Sequence, residues 1–229
     1  MTAGRLGVLG GSFNPLHQGH LHIAQRCRDI FGLSNILFVV AAAPPHKPAG
    51  DLISFVHRYA MVSLATAGIP YFVPSMAEMD PPVSPYSVDT LAKLARTHGL
   101  SGNEIFFLAG GDSFADVAGW HESSRLLLSY NFIFVMRPGV AAPEIALTLP
   151  PAVLPAVVDC RGFGAPELRR RVLEENATPS CRIYLADVGA PDIAASQIRR
   201  RVSSKQPIDS LVPAAVVDYI SKLHLYGER

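Results

Sequence analysis

Short, nearly unbroken apolar runs recur along this chain with longer stretches of helical period between them, and that alternation most narrows its fold. Residues 6–9 read as a first strand ending in Gly10-Gly11. Leu21, Ala24, Cys27 and Ile30 or Phe31 then share one face of a helix running from about Gln18 to Phe31. Strand signals return at residues 36–40, 71–73, 105–108, 132–136 and 182–185. Helical signals fall at 55–67, 88–96, 166–175 and 214–223, with another helix ending over 125–129. Strands that are apolar on both faces and separated by helices belong to parallel sheets covered on two sides. The expectation is a Rossmann-like α/β fold: a doubly wound parallel sheet with helices on both faces and a small C-terminal helical portion. It is read as one domain, 1–229, whose last part spans about 187–229.

In such sheets ligands bind beyond the carboxyl ends of the strands, where the winding direction switches. Four of the strand ends carry glycine-rich or polar motifs: Gly10-Gly11-Ser12, Pro44-Pro45-His46-Lys47, Gly110-Gly111-Asp112-Ser113 and Arg137-Pro138-Gly139. With 229 residues, 49% of them hydrophobic, the chain has material for a full core, and its net charge of +1 marks no general nucleic-acid or membrane surface. No segment has the length of a signal-peptide core or a membrane span, so a cytoplasmic location is expected. Cys27, Cys160 and Cys181 are odd in number and far apart, which suits packing residues better than disulfides or a zinc site.

The motifs also carry chemistry. Gly10 and Gly11, directly after a buried strand, let backbone N–H groups approach a phosphate, with Ser12 and Phe13 continuing the turn. His17 and His20 stand three apart at a helix start and project from one face at its positive end, with Gly19 between them. This arrangement fits polyphosphate and lacks the Gly-Lys-Ser/Thr ending of a P-loop. Prolines around His46 and Lys47 stiffen a loop that presents a cation. Ser87 is a candidate N-cap after Tyr86. Asp112 either accepts from ribose hydroxyls or caps the following helix. Trp120 is the only tryptophan, a core or rim residue unless a flat ligand stacks on it. Arg137 offers a bidentate fork to phosphate or pairs with a nearby carboxylate. Ser196 and Arg199, three apart at another helix start, can meet one anion, whereas Arg199-Arg200-Arg201 alone reads as a solvated face.

His17-Gln18-Gly19-His20 resembles the H-x-G-H signature of the nucleotidyltransferase superfamily, and nearly the whole chain is similar to bacterial nicotinate-nucleotide adenylyltransferases. The resemblance implies attack by the 5′-phosphate of nicotinate mononucleotide on the α-phosphorus of ATP, with pyrophosphate leaving. His17 and His20 would be the catalytic hydrogen-bond donors. Gly10, Gly11, Ser12, Phe13, Asp112, Ser196, Ile198 and Arg199 would bind ATP. His46, Lys47, Tyr86, Ser87, Trp120 and Arg137 would bind the mononucleotide, with Trp120 stacked on its ring. His57 and Arg58 are taken as structural. Mg²⁺ would bridge phosphates without a metal site of protein ligands. The implied partners are the two nucleotides, with no nucleic acid and no membrane, and a homo-oligomer is left open.

Two departures from the family pattern stand out. Pro85 and Ser87 flank Tyr86 where Ser-Tyr-Thr is usual, and Ala194-Ala195 replace two serines before Ser196. Alternatives are an enzyme preferring nicotinamide mononucleotide, another nucleotidyltransferase, or a nucleotide-binding regulator without catalysis. Residues 139–161 carry no recognisable site.

Overall fold

The structure, a computed structural model, describes residues 4–43, 52–136 and 149–227. Its strands are β1 (Leu6–Gly11), β2 (Asn35–Val40), β3 (Phe72–Ser75), β4 (Ile105–Gly110), β5 (Asn131–Met136), β6 (Val157–Cys160) and β7 (Ile183–Asp187). They form one seven-stranded sheet in the order β3-β2-β1-β4-β5-β7-β6, and every pairing is parallel. The described helices are α1 (Gln18–Phe31), α2 (Phe55–Thr66), α3 (Ser87–His98), α4 (Gly111–Asp116), α5 (Ser123–Ser129), α6 (Ala165–Glu175), α7 (Ala195–Ser203) and α8 (Ala214–Lys222).

Side chains of successive strand residues alternate between two cores. Leu9, Phe38, Leu108, Ile133 and Tyr184 pack beneath α1, α2, α6, α7 and α8. Val8, Leu37, Phe107, Phe132 and Leu185 pack beneath α3, α4 and α5. Each fully buried Leu, Ile or Phe among them stabilises the fold by about 1.5–3 kcal/mol, and both faces must be covered for that gain to be collected. The chain winds outward from β1 to β3, then returns to place β4 on the other side of β1. The switch point therefore lies between β1 and β4, and the motifs at their carboxyl ends share one edge.

Buried Asn131 ties the opposite edge together. Its amide donates to the Asn103 and Ile105 carbonyls at 2.9 and 3.3 Å, and its side-chain oxygen accepts from the Arg182 backbone N–H at 2.9 Å. This aligns the entries of β4, β5 and β7.

Two elements differ from expectation. β6 lies within the stretch read as carrying no site, and it forms the sheet edge beyond β7. Only Val158 and Cys160 of its four residues are buried and Asp159 is exposed, so the apolar signal was too short to see after the prolines at 150, 151 and 155. β4 also runs two residues past Leu108, into the glycine pair, and α4 begins at once from Gly111. Among the described residues, no helix is long and apolar enough to cross a membrane.

Candidate active site

The segment after β1 turns sharply into α1. Phe13 adopts a left-handed φ of 45°, and Asn14, Pro15, Leu16 and His17 are all buried. His17 is the N-cap of α1 with an extended backbone. Its own N–H donates to Nδ1 of His20 at 3.2 Å. Nδ1 is thus an acceptor, and the neutral ring must carry its proton on Nε2. The imidazoles of His17 and His20 stack at 3.7 Å, 25° from parallel, and Phe13 meets His20 edge-on at 5.1 Å. Gly19 permits this approach: a Cβ there would lie 3.0 and 3.1 Å from ring atoms of His17. His17 is only 7% exposed, so the pair is built into the fold.

Gly10 and Gly11 have a second reason to lack side chains. Cβ atoms there would lie 3.2 and 3.1 Å from the rings of Phe107 and Phe13. Their absence of side chains makes room for two aromatic rings. Phe13 is buried and serves through its backbone turn and its contact with His20. Ile198, on α7, is fully buried in the core, so any contact it makes with a ligand comes from its backbone.

The guanidinium of Arg58, itself 2% exposed, donates to the carbonyls of Ser12, Ala41, Ile53 and Ala42 at 2.9, 2.7, 3.1 and 3.4 Å. It joins the loops that leave β1 and β2, which bears out its structural assignment. Burial pulls its pKa down, opposed by Tyr226 and Glu78 nearby. Glu78 in turn accepts the Ala42 N–H at 3.0 Å, and burial pushes its carboxyl above the usual carboxylate range. His57, also read as structural, lies 3.0 Å from the Tyr219 hydroxyl.

From the far end of the chain, Arg199 on α7 donates to the Asn14 carbonyl at 2.8 Å, and the Gln18 N–H reaches the Leu211 carbonyl at 2.8 Å. Ser196 is exposed in the first turn of α7. The N-cap of that helix is Ala194, which has no polar side chain to occupy the first-turn N–H groups.

Across the switch point, Asp112 is exposed in the first turn of α4, whose N-cap is Gly110, so Asp112 is not the cap. Trp120 is half-buried, with its ring edge-on to Phe107 at 6.2 Å. Tyr86 is 41% exposed and stacks on His121 at 4.1 Å and 24°. The N-cap reading of Ser87 is corrected here. Tyr86 is the N-cap of α3 and Ser87 is its first helical residue. α3 has no side-chain cap; Ser84 instead braces the residue before it, its hydroxyl accepting the Tyr86 N–H at 3.2 Å and donating to Asp89 at 2.6 Å. A cavity of about 540 Å³ opens beside Tyr86, lined by residues 82–86, His121 and the Asp89, Lys93 and Arg96 face of α3. His46, Lys47 and Arg137 lie outside the described residues; their motifs follow β2 and β5, whose ends share the edge with β1 and β4.

Thus the structure brings His17 and His20 into contact and sets Arg199 against the same loop, and it pairs Tyr86 with the residue next to Trp120. Reasoning from sequence missed Glu78, Lys93 and Tyr226. None of the three lies in a motif, and only the folded contacts mark them.

A parallel switch-point sheet with a histidine pair at the start of its first helix defines a nucleotidyltransferase. The family model described as cytidylyltransferase-like matches residues 8–201. A probable nicotinate-nucleotide adenylyltransferase of Geobacter metallireducens is 40% identical over 97% of this chain and 98% of its own length. One of Moorella thermoacetica is 34% identical, over 99% and 93%. The chain belongs to the nicotinate-nucleotide adenylyltransferase family. The fold agrees with that of Plasmodium falciparum nicotinic acid mononucleotide adenylyltransferase complexed with NaAD. That structure is 18% identical and covers 96% of each chain with a TM-score of 0.67.

Proposed function

We propose that the histidine pair holds the α-phosphate of ATP while nicotinate mononucleotide attacks it. The observation that carries this assignment is the bond from the His17 N–H to Nδ1 of His20. It leaves His20 with an Nε2–H to donate toward charge that grows on a phosphate oxygen, a preorganised donor rather than a base. A phosphate oxygen of the mononucleotide forms a bond to the α-phosphorus as the bond to the β-phosphate bridging oxygen breaks. The ionised phosphate needs no base, and the protein's work is placement and charge stabilisation.

Arg199 and Ser196, with the first-turn N–H groups of α7, take the leaving pyrophosphate. Ala194-Ala195 remove two side-chain donors from this helix start, and the bare N–H groups of an uncapped first turn supply the anion contacts instead. Gly10, Gly11, Ser12 and the Phe13 backbone line the triphosphate, and Asp112 accepts from a ribose hydroxyl. Trp120, Tyr86, Ser87, His46, Lys47 and Arg137 form the mononucleotide side.

A guanidinium and backbone N–H groups recognise phosphate oxygens rather than cations, and the His20 ring, its Nδ1 already accepting a bond, offers its Nε2–H in the same way. Among the described residues no three His, Cys, Asp or Glu side chains gather as a metal group. In this reading Mg²⁺ would enter as part of the Mg·ATP substrate, held mainly by phosphate oxygens. The nucleotide substrates and the free cysteines Cys27, Cys160 and Cys181 suit a cytoplasmic location.

Pyrophosphate release from Mg·ATP, measured with nicotinate and with nicotinamide mononucleotide, tests the acceptor. The acid should be turned over with at least tenfold higher kcat/KM. Equal or reversed ratios would establish an amide-using enzyme, and release with neither acceptor despite ATP binding would establish a regulator.

A further inference from the structure

The segment between β1 and His17 is held from three distant parts of the chain, and the last of these has no assigned role. Arg58 takes the Ser12 carbonyl and Arg199 takes the Asn14 carbonyl. The third is Tyr226, in the turn after α8, whose hydroxyl donates to Oδ1 of Asn14 at 2.9 Å. Asn14 is 1% exposed, so its amide oxygen would be costly to bury without a donor. Arg199 and Arg58 lie close enough to the Tyr226 hydroxyl to act on it, yet burial outweighs them and keeps the phenol neutral, a donor. The tail must bend to bring it there. His224 and Tyr226 both take left-handed φ values, 50° and 63°, which cost of order 1 kcal/mol each in residues with a Cβ.

We infer that Tyr226 is a positioning residue for the adenylyl-transfer step: through the Asn14 side chain it fixes the turn that delivers the His17 N–H to His20. Asn14 is three residues from His17, and every residue between them is buried against the core. A shift of the Asn14 side chain is therefore passed to the His17 backbone rather than absorbed. Small displacements of donors preorganised for a transition state cost rate without weakening ground-state binding. The C-terminal tail thereby becomes part of the catalytic apparatus although it touches neither substrate. The inference rests on the reading that His17 and His20 serve the chemistry.

Tyr226→Phe keeps the ring and deletes only the donor. Its kcat for pyrophosphate release should fall about tenfold while KM for Mg·ATP and for the mononucleotide stay within twofold. Thermal unfolding should shift by no more than about 4 °C. In an Asn14→Ala background the same substitution should cost less than twofold in kcat, because the partner is already gone. A parent-like kcat in Tyr226→Phe would overturn the inference, as would a loss expressed in KM or an undiminished loss in the Asn14→Ala background. His20→Ala assayed alongside separates the two claims. If it retains turnover, the histidine reading fails; if it is inactive and Tyr226→Phe is not impaired, only the tail's role fails.

Discussion

The turn after β1 and the loop before α3 flank one edge of the sheet, but different forces secure them. Residues 13–17 are buried, Arg199 and Tyr226 reach Asn14 from α7 and the C-terminal tail, and Arg58 of α2 holds the adjoining Ser12 carbonyl. Residues 81–83, 85 and 86 are exposed, and they depend on partners close in sequence. Ser84 bonds to Asp89, and Lys93 Nζ donates to the carbonyls of Ala77 and Pro82 at 2.8 and 3.0 Å and also to that of Asp80. The first region is set by the tertiary fold before any ligand arrives, which suits donors aimed at a transition state. The second is set locally and keeps an open cavity beside it, which suits adjustment to an acceptor ring.

The largest effect expected from breaking this contrast is on stability. Arg58→Met strands four carbonyls, three just past β1 and β2 and one just before α2, and should cost about 3 kcal/mol. For a chain of this size that lowers Tm by about 10 °C in a calorimetric scan. A variant as stable as the parent would show that the first region is not braced from within.

Trp120→Ala addresses the second region. Loss of a stacking face is worth about 1.4 kcal/mol, so KM for the mononucleotide should rise about tenfold while KM for Mg·ATP stays put. An equal rise in both would mean the two regions are not separable. The smallest effect belongs to Glu78, which lies between them. Because burial raises its folded pKa above the unfolded value, the folded state binds its proton more tightly, and this contribution to stability is lost as pH rises through the raised pKa. Glu78→Gln should therefore gain stability relative to the parent as denaturant titrations move from pH 4 to pH 7. A relative loss over that range would reverse the sign of the argument.

The two regions also differ in how readily their residues could be read in advance. The bounds of α1 are those its apolar spacing predicts, Gln18–Phe31, because a helix with one buried stripe announces its period. His17 and His20 were legible because their three-residue spacing is itself the geometry. Ser87 was misread as the N-cap because any hydroxyl before an apolar helix looks like a cap, whereas the folded backbone begins the helix at Ser87 and puts Tyr86 at the cap. Tyr226 was invisible: it lies 212 residues from Asn14, and no local pattern encodes a contact of that separation. The packing reason for Gly10 and Gly11 was not legible, since the rings of Phe107 and Phe13 come from folding and not from the motif.

The central claim is that His20, oriented by the His17 backbone, donates to the reacting phosphate. Steady-state pyrophosphate release by His20→Ala tests it most directly. The account predicts a fall in kcat of about 10²–10³-fold, with Tm and KM for Mg·ATP near those of the parent. A kcat within threefold of the parent in a folded His20→Ala protein would contradict it.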